Sequence, residues 1–353
     1  MHAQIFRRKL MGWFRNNGRD LPWRRKRTPY ATWISEMMLQ QTQVKTMLPY
    51  FDAWMKAFPS VKALDQAPLE EMLLKWQGLG YYARARNIKK CARVLMEKYG
   101  GKLPADYEAL QELPGIGPYS AGAIASIGFG LKAPIVDGNV LRVLARVFEI
   151  EEPIDNPATR EKILKLQREL VPDLDPGVFN EGLMELGALV CTPQNPSCLA
   201  CPVASECGAI KSGKEDILPR KANEKKITKV QAWAVVLRHK DRYFLHRRPE
   251  GQVMGGLWEF PEQKMPQGKA ASASSELRSV ATAIGMPSKS VERLFVLKRH
   301  YTRFAETLSV YSAEVGPAVG ENIGRGWECR WVLSRELDKL PLTSAHARIR
   351  ARL

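Results

Sequence analysis

The stretch "CTPQNPSCLACPVASEC", residues 191–207, holds four of the chain's six cysteines in the spacing C-x6-C-x2-C-x5-C. No other feature restricts the fold as strongly, because thiols this close together are bridged or ligated rather than idle. Disulfides belong to secreted chains. The N-terminus "MHAQIFRRKLMGWF" has basic residues but lacks the long apolar region and small-residue cleavage site of a leader. It reads as the first turns of an amphipathic helix. No apolar run approaches the roughly 20 residues that span a bilayer. These signs place the chain in the cytoplasm, where thiols stay reduced, and they favour a metal over a disulfide framework. Four thiolates ligate either zinc or a cubane iron–sulfur cluster. Zinc sites usually join two close cysteine pairs across a longer arm. This run is wound more tightly, with Pro193, Pro196 and Pro202 stiffening its loops. The spacing favours iron–sulfur, and zinc stays open. Cys91 in a helical pattern and Cys329 in a strand pattern read as packed hydrophobes rather than ligands.

A chain of 353 residues is long enough for two or three domains. Its net charge of +17 suits a polyanionic partner, nucleic acid foremost, or else a solubilising surface. Residues 1–212 read as helix after helix. "ATWISEMMLQQTQVKTMLPYFDAWMKAF" spaces its apolar residues three and four apart, and "PLEEMLLKWQGLG" carries acids in its first turn and Gly at its end. Residues 213–228, inside the lysine-rich "KSGKEDILPRKANEKKITK", read as a linker. From 229 to 353 the period changes to two. "VQAWAVVLRHKDRYFLHRRPE" and "LFVLKRHYTRFAETLSVYSAEV" read as hairpins, and "ECRWVLSREL" as a strand entering a helix. The fold class is a mostly α-helical domain followed by a smaller α/β domain.

Three segments of the helical part carry chemistry. "LPGIGPYSAGAI", residues 113–124, sets Gly115 and Gly117 about one apolar residue and then enters a small-residue helix. Such a turn lets backbone N–H groups approach a phosphate, so it positions DNA without reading bases. Asp137 in "IVDGNVLRVLAR" either caps the helix that follows or holds a carboxylate at the rim of a pocket, and both can hold at once. Glu36 in "TWISEMMLQQTQV" is the only acid among Trp33, Ile34, Met37, Met38 and Leu39. Apolar surroundings raise a carboxyl pKa, which makes Glu36 a candidate proton donor; the alternative is a partly exposed helix acid.

The hairpin, the "VDGNV" aspartate and the cysteine spacing together resemble the endonuclease III superfamily of helix-hairpin-helix DNA glycosylases, over about residues 1–210. That resemblance implies one 4Fe–4S cluster on Cys191, Cys198, Cys201 and Cys207. Bifunctional relatives carry a nucleophilic lysine at the seventh position of the hairpin segment, which here is Tyr119. The resemblance therefore implies a monofunctional enzyme. "GRDLPWR" (18–24), "SEMMLQQTQV" (35–44) and "GLGYYARARN" (78–87) resemble the MutY family of adenine DNA glycosylases, which remove adenine opposite 8-oxoguanine. Carried over by residue, Glu36 protonates adenine and Asp137 stabilises the sugar cation or bonds to it transiently. Asn139 and Tyr119 support that pair. Arg19, Trp23, Arg24 and Glu181 line the adenine pocket. Gln41 and Tyr81 enter the base stack, with Thr42 beside them on DNA. Trp23 and Tyr81 could also be core aromatics. The implied partner is duplex DNA with A:8-oxoguanine or A:G mispairs, bound by a monomer, at the nucleoid if the cell is bacterial.

"RRPEGQVMGGLWEFPEQK" and "ELRSVATAIGM" resemble a Nudix fold. Aligned on Arg278 and Gly285, the metal-binding glutamates of that fold are replaced by Ser279, Thr282 and Ala283. A hard cation has no oxygen ligands there, so the resemblance implies a reader of the damaged base and not a hydrolase. The lesion-contacting Phe-Ser-His loop of the MutY relatives matches Tyr301, Thr302 and Arg303, with His300 as an alternative partner for the histidine. Two other functions compete: a pyrimidine glycosylase/lyase, opposed by Tyr119 and the extra domain, and a DNA-binding protein without chemistry.

Overall fold

The computed structural model describes residues 3–222, 227–265, 273–301, 304–316 and 327–353. The chain forms two compact units, Met1–Gln66 with Asn87–Glu224, and Ala67–Arg86 with Lys225–Leu353.

Helices run in chain order as α1 (Ala3–Asn17), α2 (Pro22–Arg25), α3 (Pro29–Leu39), α4 (Val44–Ala57), α5 (Val61–Gln66), α6 (Leu69–Trp76), α7 (Ala83–Tyr99), α8 (Tyr107–Gln111), α9 (Pro118–Ala123), α10 (Gly138–Val147), α11 (Pro157–Leu170), α12 (Pro176–Leu189) and α13 (Gly208–Ser212). The long periodic stretch 31–58 is two helices, not one. Gln41 adopts a left-handed backbone, φ 57°, and breaks the run between α3 and α4. Helix α3 starts at Thr28, whose side chain accepts from Ala31 N, with Pro29 at its first position. Residues Ala31 to Met38 are all buried. A helix apolar on every face belongs inside a core. Burying Trp33, Ile34, Met37 and Met38 yields about 1.5–3 kcal/mol each, which carries the cost of the one acid among them.

Helices α10 and α12 share a core with α1, through Val140, Leu144, Leu183, Leu186, Phe6 and Leu10. Their close approach depends on glycine. A Cβ on Gly187 would stand 2.6 Å from the Cβ of Asn139. After α9, Ile124–Gly128 widens into a π-helical turn, a local form found often at functional sites. Asn180 on α12 holds it by donating to Ser126 Oγ at 2.9 Å.

The second unit is built on seven strands among the described residues: β1 (Thr228–His239), β2 (Arg242–Arg247), β3 (Trp258–Glu259), β4 (Glu262–Lys264), β5 (Glu292–Tyr301), β6 (Phe304–Glu314) and β7 (Glu328–Leu333). They pair in the order β3-β2-β1-β6-β5, with β4 on β1 and β7 on β2. Only the β1–β6 pair is parallel, in register from Thr228↔Phe304 to Arg238↔Glu314. Both faces of β1 are covered. Trp233, Val235 and Leu237 pack on Val280 and Ile284 of α14 (Ala273–Ile284). Ala232, Ala234 and Val236 face the cluster containing Ala345 and Ile349 of α15 (Ser344–Arg350). Helix α6 belongs to this unit: Trp258 Nε1 donates to Glu70 Oε1 at 3.0 Å, and Leu342 N to Gln77 Oε1 at 3.0 Å.

Candidate active site and cysteine cavity

A cavity of about 520 Å3 opens in the helical unit, within the usual range for small-molecule sites. It brings together Glu36, Thr42, Tyr119, Asp137 and Asn139. Arg19, Trp23, Arg24 and Glu181 line it too. Sequence distances of up to about 160 residues close because α2, α3, α9, α10 and α12 each place one to three polar side chains on it.

Glu36 is 4% exposed. Tyr119 donates its phenol to Glu36 Oε2. Burial pushes the Glu36 carboxyl up to about 7, aided by Asp137 and Glu181 and opposed by Tyr119 and Arg24. The phenol of Tyr119 is held well above its ordinary value by burial and then by the two acids, so it stays a donor. Asp137 is the N-cap of α10: Oδ1 accepts from Val140 N at 2.7 Å, and Oδ2 from Asn139 Nδ2 at 3.1 Å. Burial raises its pKa and these hydrogen bonds pull it back. The cap and the cavity wall are one residue.

Three residues that the sequence did not single out share the site. Glu185, one turn beyond Glu181, accepts from Arg19 Nε at 2.8 Å, Arg19 Nη2 at 2.7 Å, Arg19 N at 2.9 Å and Arg24 Nη2 at 3.1 Å. Although burial opposes it, these guanidinium bonds hold Glu185 down to about 2. Arg24 also donates to Glu181 Oε1 at 2.8 Å, and Arg27 pairs with Glu181 Oε2 at 2.7 Å. Lys45, exposed at the start of α4, is one of the lining residues. The available signal was the spacing of Glu181 and Glu185, which puts two acids on one face of an apolar helix.

Other expected residues lie elsewhere. Gln41 is exposed in its left-handed turn, while its neighbour Gln40 donates to Ser120 Oγ at 3.2 Å. Tyr81, in the second unit, is 46% exposed with φ 48°, so it is not a core aromatic. Trp23 is both core and wall: it is buried, with its ring edge-on to Phe51 at 5.3 Å. In the hairpin, Gly115 has φ 79° and no room for a side chain, since a Cβ would stand 2.5 Å from that of Asn87. Gly117 is extended, with nothing within 4 Å of such a Cβ. Thr302 and Arg303 lie outside the described residues, as does the side chain of Tyr301, whose backbone ends β5.

Cys191, Cys198, Cys201 and Cys207 line one cavity together with Val143, Leu186 and Ile210. Among the described residues, the one trio of ligand atoms within 4.8 Å of one another is Glu259, Glu262 and His346, so no three of the four thiols approach that closely. An all-sulfur donor set of four suits an iron–sulfur cluster as well as zinc. Arg146, buried beneath it, donates to Cys191 Sγ at 3.3 Å, Thr192 O at 2.7 Å and Leu218 O at 2.7 Å. Arg142 ties Cys191 O, at 2.8 Å, to Asn139 Oδ1, at 2.8 Å. Cys91 is buried as expected, whereas Cys329 is half-buried.

The Glu259–Glu262–His346 trio is already occupied. Arg248 donates to Glu259, Arg299 to Glu262, and Phe260 N to His346 Nδ1 at 3.1 Å. That last bond fixes the other ring nitrogen, Nε2, as the protonated one, which donates to Glu262 Oε2 at 2.9 Å. On α14, Ser279 Oγ accepts from Trp233 Nε1 at 3.2 Å, and Thr282 and Ala283 are exposed.

Comparisons with known proteins identify both parts of the chain. The model of the HhH-GPD superfamily of base excision DNA repair proteins matches residues 34–169, and that of the NUDIX domain matches residues 232–352. A thermostable thymine-DNA glycosylase superposes with a TM-score of 0.55 at 29% identity, covering 60% of this chain and 97% of that one. A trapped endonuclease III–DNA covalent intermediate superposes at 0.51 and 25% identity, covering 60% and 99%. Fold and site together define a DNA glycosylase of base excision repair. The adenine DNA glycosylase of Buchnera aphidicola subsp. Baizongia pistaciae (strain Bp) is 40% identical over 264 residues, 74% of this chain and 75% of the relative. That of Homo sapiens is 33% identical over 400 aligned positions, 98% and 73%. The chain belongs to the adenine DNA glycosylase family. No helix among the described residues is long and apolar enough to cross a membrane.

Proposed function

We propose that the chain excises adenine mispaired with 8-oxoguanine, or with guanine, from duplex DNA as a monomeric, monofunctional glycosylase. The observation that carries this reading is a buried carboxyl, Glu36, raised to about 7 in the same cavity as Asp137. An enzyme acting on a base first takes it out of the stack. In the cavity Glu36 gives its proton to N7 of the extruded adenine. The C1′–N9 bond then breaks with its electron pair passing to the base. Asp137 faces the oxocarbenium-like sugar, and water completes the hydrolysis, following two-carboxylate glycoside chemistry. Tyr119 keeps Glu36 oriented and Asn139 does the same for Asp137. Arg19, Trp23, Arg24 and Glu181 surround the base.

The hairpin at Gly115 and Gly117 holds the phosphate backbone. Gln41, Thr42 and Tyr81 meet the DNA around the lesion, and the Nudix-like part, with Tyr301, Thr302 and Arg303, reads 8-oxoguanine. With Ser279, Thr282 and Ala283 in place of acids, this part hydrolyses no nucleotides. The four cysteines would hold one 4Fe–4S cluster, a centre able to exchange electrons whose part here is to brace the end of the helical unit. A reducing cytoplasm suits those thiols.

Single-turnover base release from A:8-oxoguanine, A:G and A:T duplexes tests this. Release from the first two, slowed at least about a hundredfold by Glu36→Gln and by Asp137→Asn, is expected. Equal rates for all three duplexes, or variants as fast as the parent, would overturn it. Lys45 on the cavity wall supplies the rival reading, an amine nucleophile. Borohydride reduction during turnover should then trap a strong covalent DNA adduct that Lys45→Ala removes. We expect none.

A further inference from the structure

We propose that Glu185 is a positioning residue for base excision: its carboxylate fixes the aim of Arg19 and Arg24 and neutralises the positive charge they bring beside Glu36. This inference rests on the reading of Glu36 as the acid that protonates the base.

The geometry is specific. Arg19 offers its backbone N–H and the Nε and Nη2 edge of its guanidinium to one carboxylate, at 2.7–2.9 Å. Such a fork fixes the guanidinium plane as well as its place. Arg24 bridges both acids of α12, reaching Glu181 with Nε and Glu185 with Nη2, and donates Nη1 to Arg19 O at 3.0 Å. Glu185 is therefore where the two cavity arginines meet. Its side chain is 1% exposed, so it is unsuited to steering DNA from the surface. Its worth lies in what it holds.

The charge balance gives a consequence beyond packing. The groups facing Glu36 are Tyr119 from α9, Asp137 from α10, Glu181 from α12 and Arg24 from α2. Arg24 favours the ionised form of Glu36, and Glu185 offsets part of that charge. Removing the Glu185 charge leaves Arg24 less compensated. Glu36 then gives up its proton at lower pH and is less able to act as an acid near neutrality. A residue that only packs would slow the enzyme equally at every pH.

The test compares single-turnover adenine release by the intact protein and its variants between pH 5 and pH 9. Glu185→Gln keeps the shape and removes the charge. It should lower the rate at pH 7.5 by about ten- to a hundredfold and move the alkaline midpoint of the profile down, so that part of the loss is recovered at pH 5.5. Glu185→Asp keeps the charge and loses the reach, so it should lower the rate with the midpoint unmoved. If Glu185→Gln does not fold, Arg19→Lys tests the same link from its other end, since lysine keeps the charge and loses the fork. It should cost at least tenfold in rate without moving the midpoint. Rates within twofold of the parent for the folded variants, or an equal loss at all pH values in Glu185→Gln, would overturn the proposal. Glu36→Gln serves as the separate control. If it stays active, the reading of Glu36 fails first; if it is inactive while the Glu185 variants are normal, only the present inference fails.

Discussion

The phenol of Tyr119 and the carboxyl of Glu36 form a donor–acceptor pair inside the cavity, across 83 residues of sequence. The resemblance to bifunctional glycosylases puts a lysine amine at the sequence position of this phenol. The phenol has no nucleophilic amine to offer, and its pKa is displaced upward, so at neutral pH it keeps the proton it donates. The hydrogen bond goes to Oε2, and the proposed mechanism uses the other oxygen of Glu36 to carry the transferable proton.

That arrangement predicts the pH profile. With the Glu36 carboxyl raised to about 7, base release should be fast while it is protonated and fall tenfold per unit well above the midpoint. Glu36→Gln should lower the rate by about 10²–10⁴. Stability should move oppositely. A raised folded-state pKa means that the folded protein binds a proton the unfolded chain has lost between about 4.5 and 7, so stability falls as pH rises through that window. Glu36→Gln removes the penalty. Its Tm should exceed that of the parent at pH 8, by a shift equivalent to about 1–3 kcal/mol, and approach it at pH 4. Thermal unfolding at both pH values measures this.

Asp137 caps α10, and the proposed mechanism gives it a second role that substitution can separate from the first. Asn caps a helix as well as Asp, whereas Ala does not. Asp137→Asn should therefore keep Tm within a degree or two while losing most base release. Asp137→Ala should lose the same activity and also about 1 kcal/mol of stability. If both variants lose stability equally with activity intact, the residue is only a cap. Denaturant unfolding beside single-turnover kinetics gives the answer.

The residues easiest to read in the sequence were those that violate their local pattern. Glu36 stands out because every neighbour on α3 is apolar, and the acid is buried with them. Asp137 stands out because an apolar pair precedes it and a Gly–Asn turn follows. Glu185 violates its pattern as well, but an acid one turn from another acid also suits a solvated face. Only Arg19, before α2, and Arg24, on it, about 160 residues away, decide which it is. Helix α6 shows the same limit. Its amphipathic pattern announces a helix but not a partner, and Glu70 and Gln77 bond to Trp258 and Leu342. The break at Gln41 was hidden because the apolar spacing runs on through it. Period reports which residues face a core, and long-range hydrogen bonds determine which core.

The two hairpin glycines should respond differently. Gly115 combines a positive φ with a Cβ position 2.5 Å from that of Asn87, so Gly115→Ala strains the turn and should cost about 1–3 kcal/mol. Gly117 has ordinary dihedrals and open space. Gly117→Ala should fold like the parent. If the turn grips phosphate through its backbone, the added methyl should still weaken duplex binding, and the parent's steep fall in affinity with salt should become shallower. Unchanged affinity and salt slope in Gly117→Ala would remove this turn from the DNA interface.

The cysteine cavity makes a prediction about metal content and its coupling to the active site. Purified protein should be brown and carry about four iron and four sulfide per chain. Stoichiometric zinc without iron would refute the cluster. Arg142 links the backbone carbonyl of Cys191 to Asn139, which in turn bonds Asp137. Loss of the cluster should therefore loosen Asp137 as well as the loop. Replacing Cys198 with Ser is expected to lower iron content and Tm together and to raise amide exchange at residues 137–140 as well as 191–207. Iron loss with exchange confined to 191–207 would show that the cage braces only its own loop. Arg142→Gln separates the two effects: the cluster should remain and the protein stay brown, while exchange rises at 137–140 and base release slows.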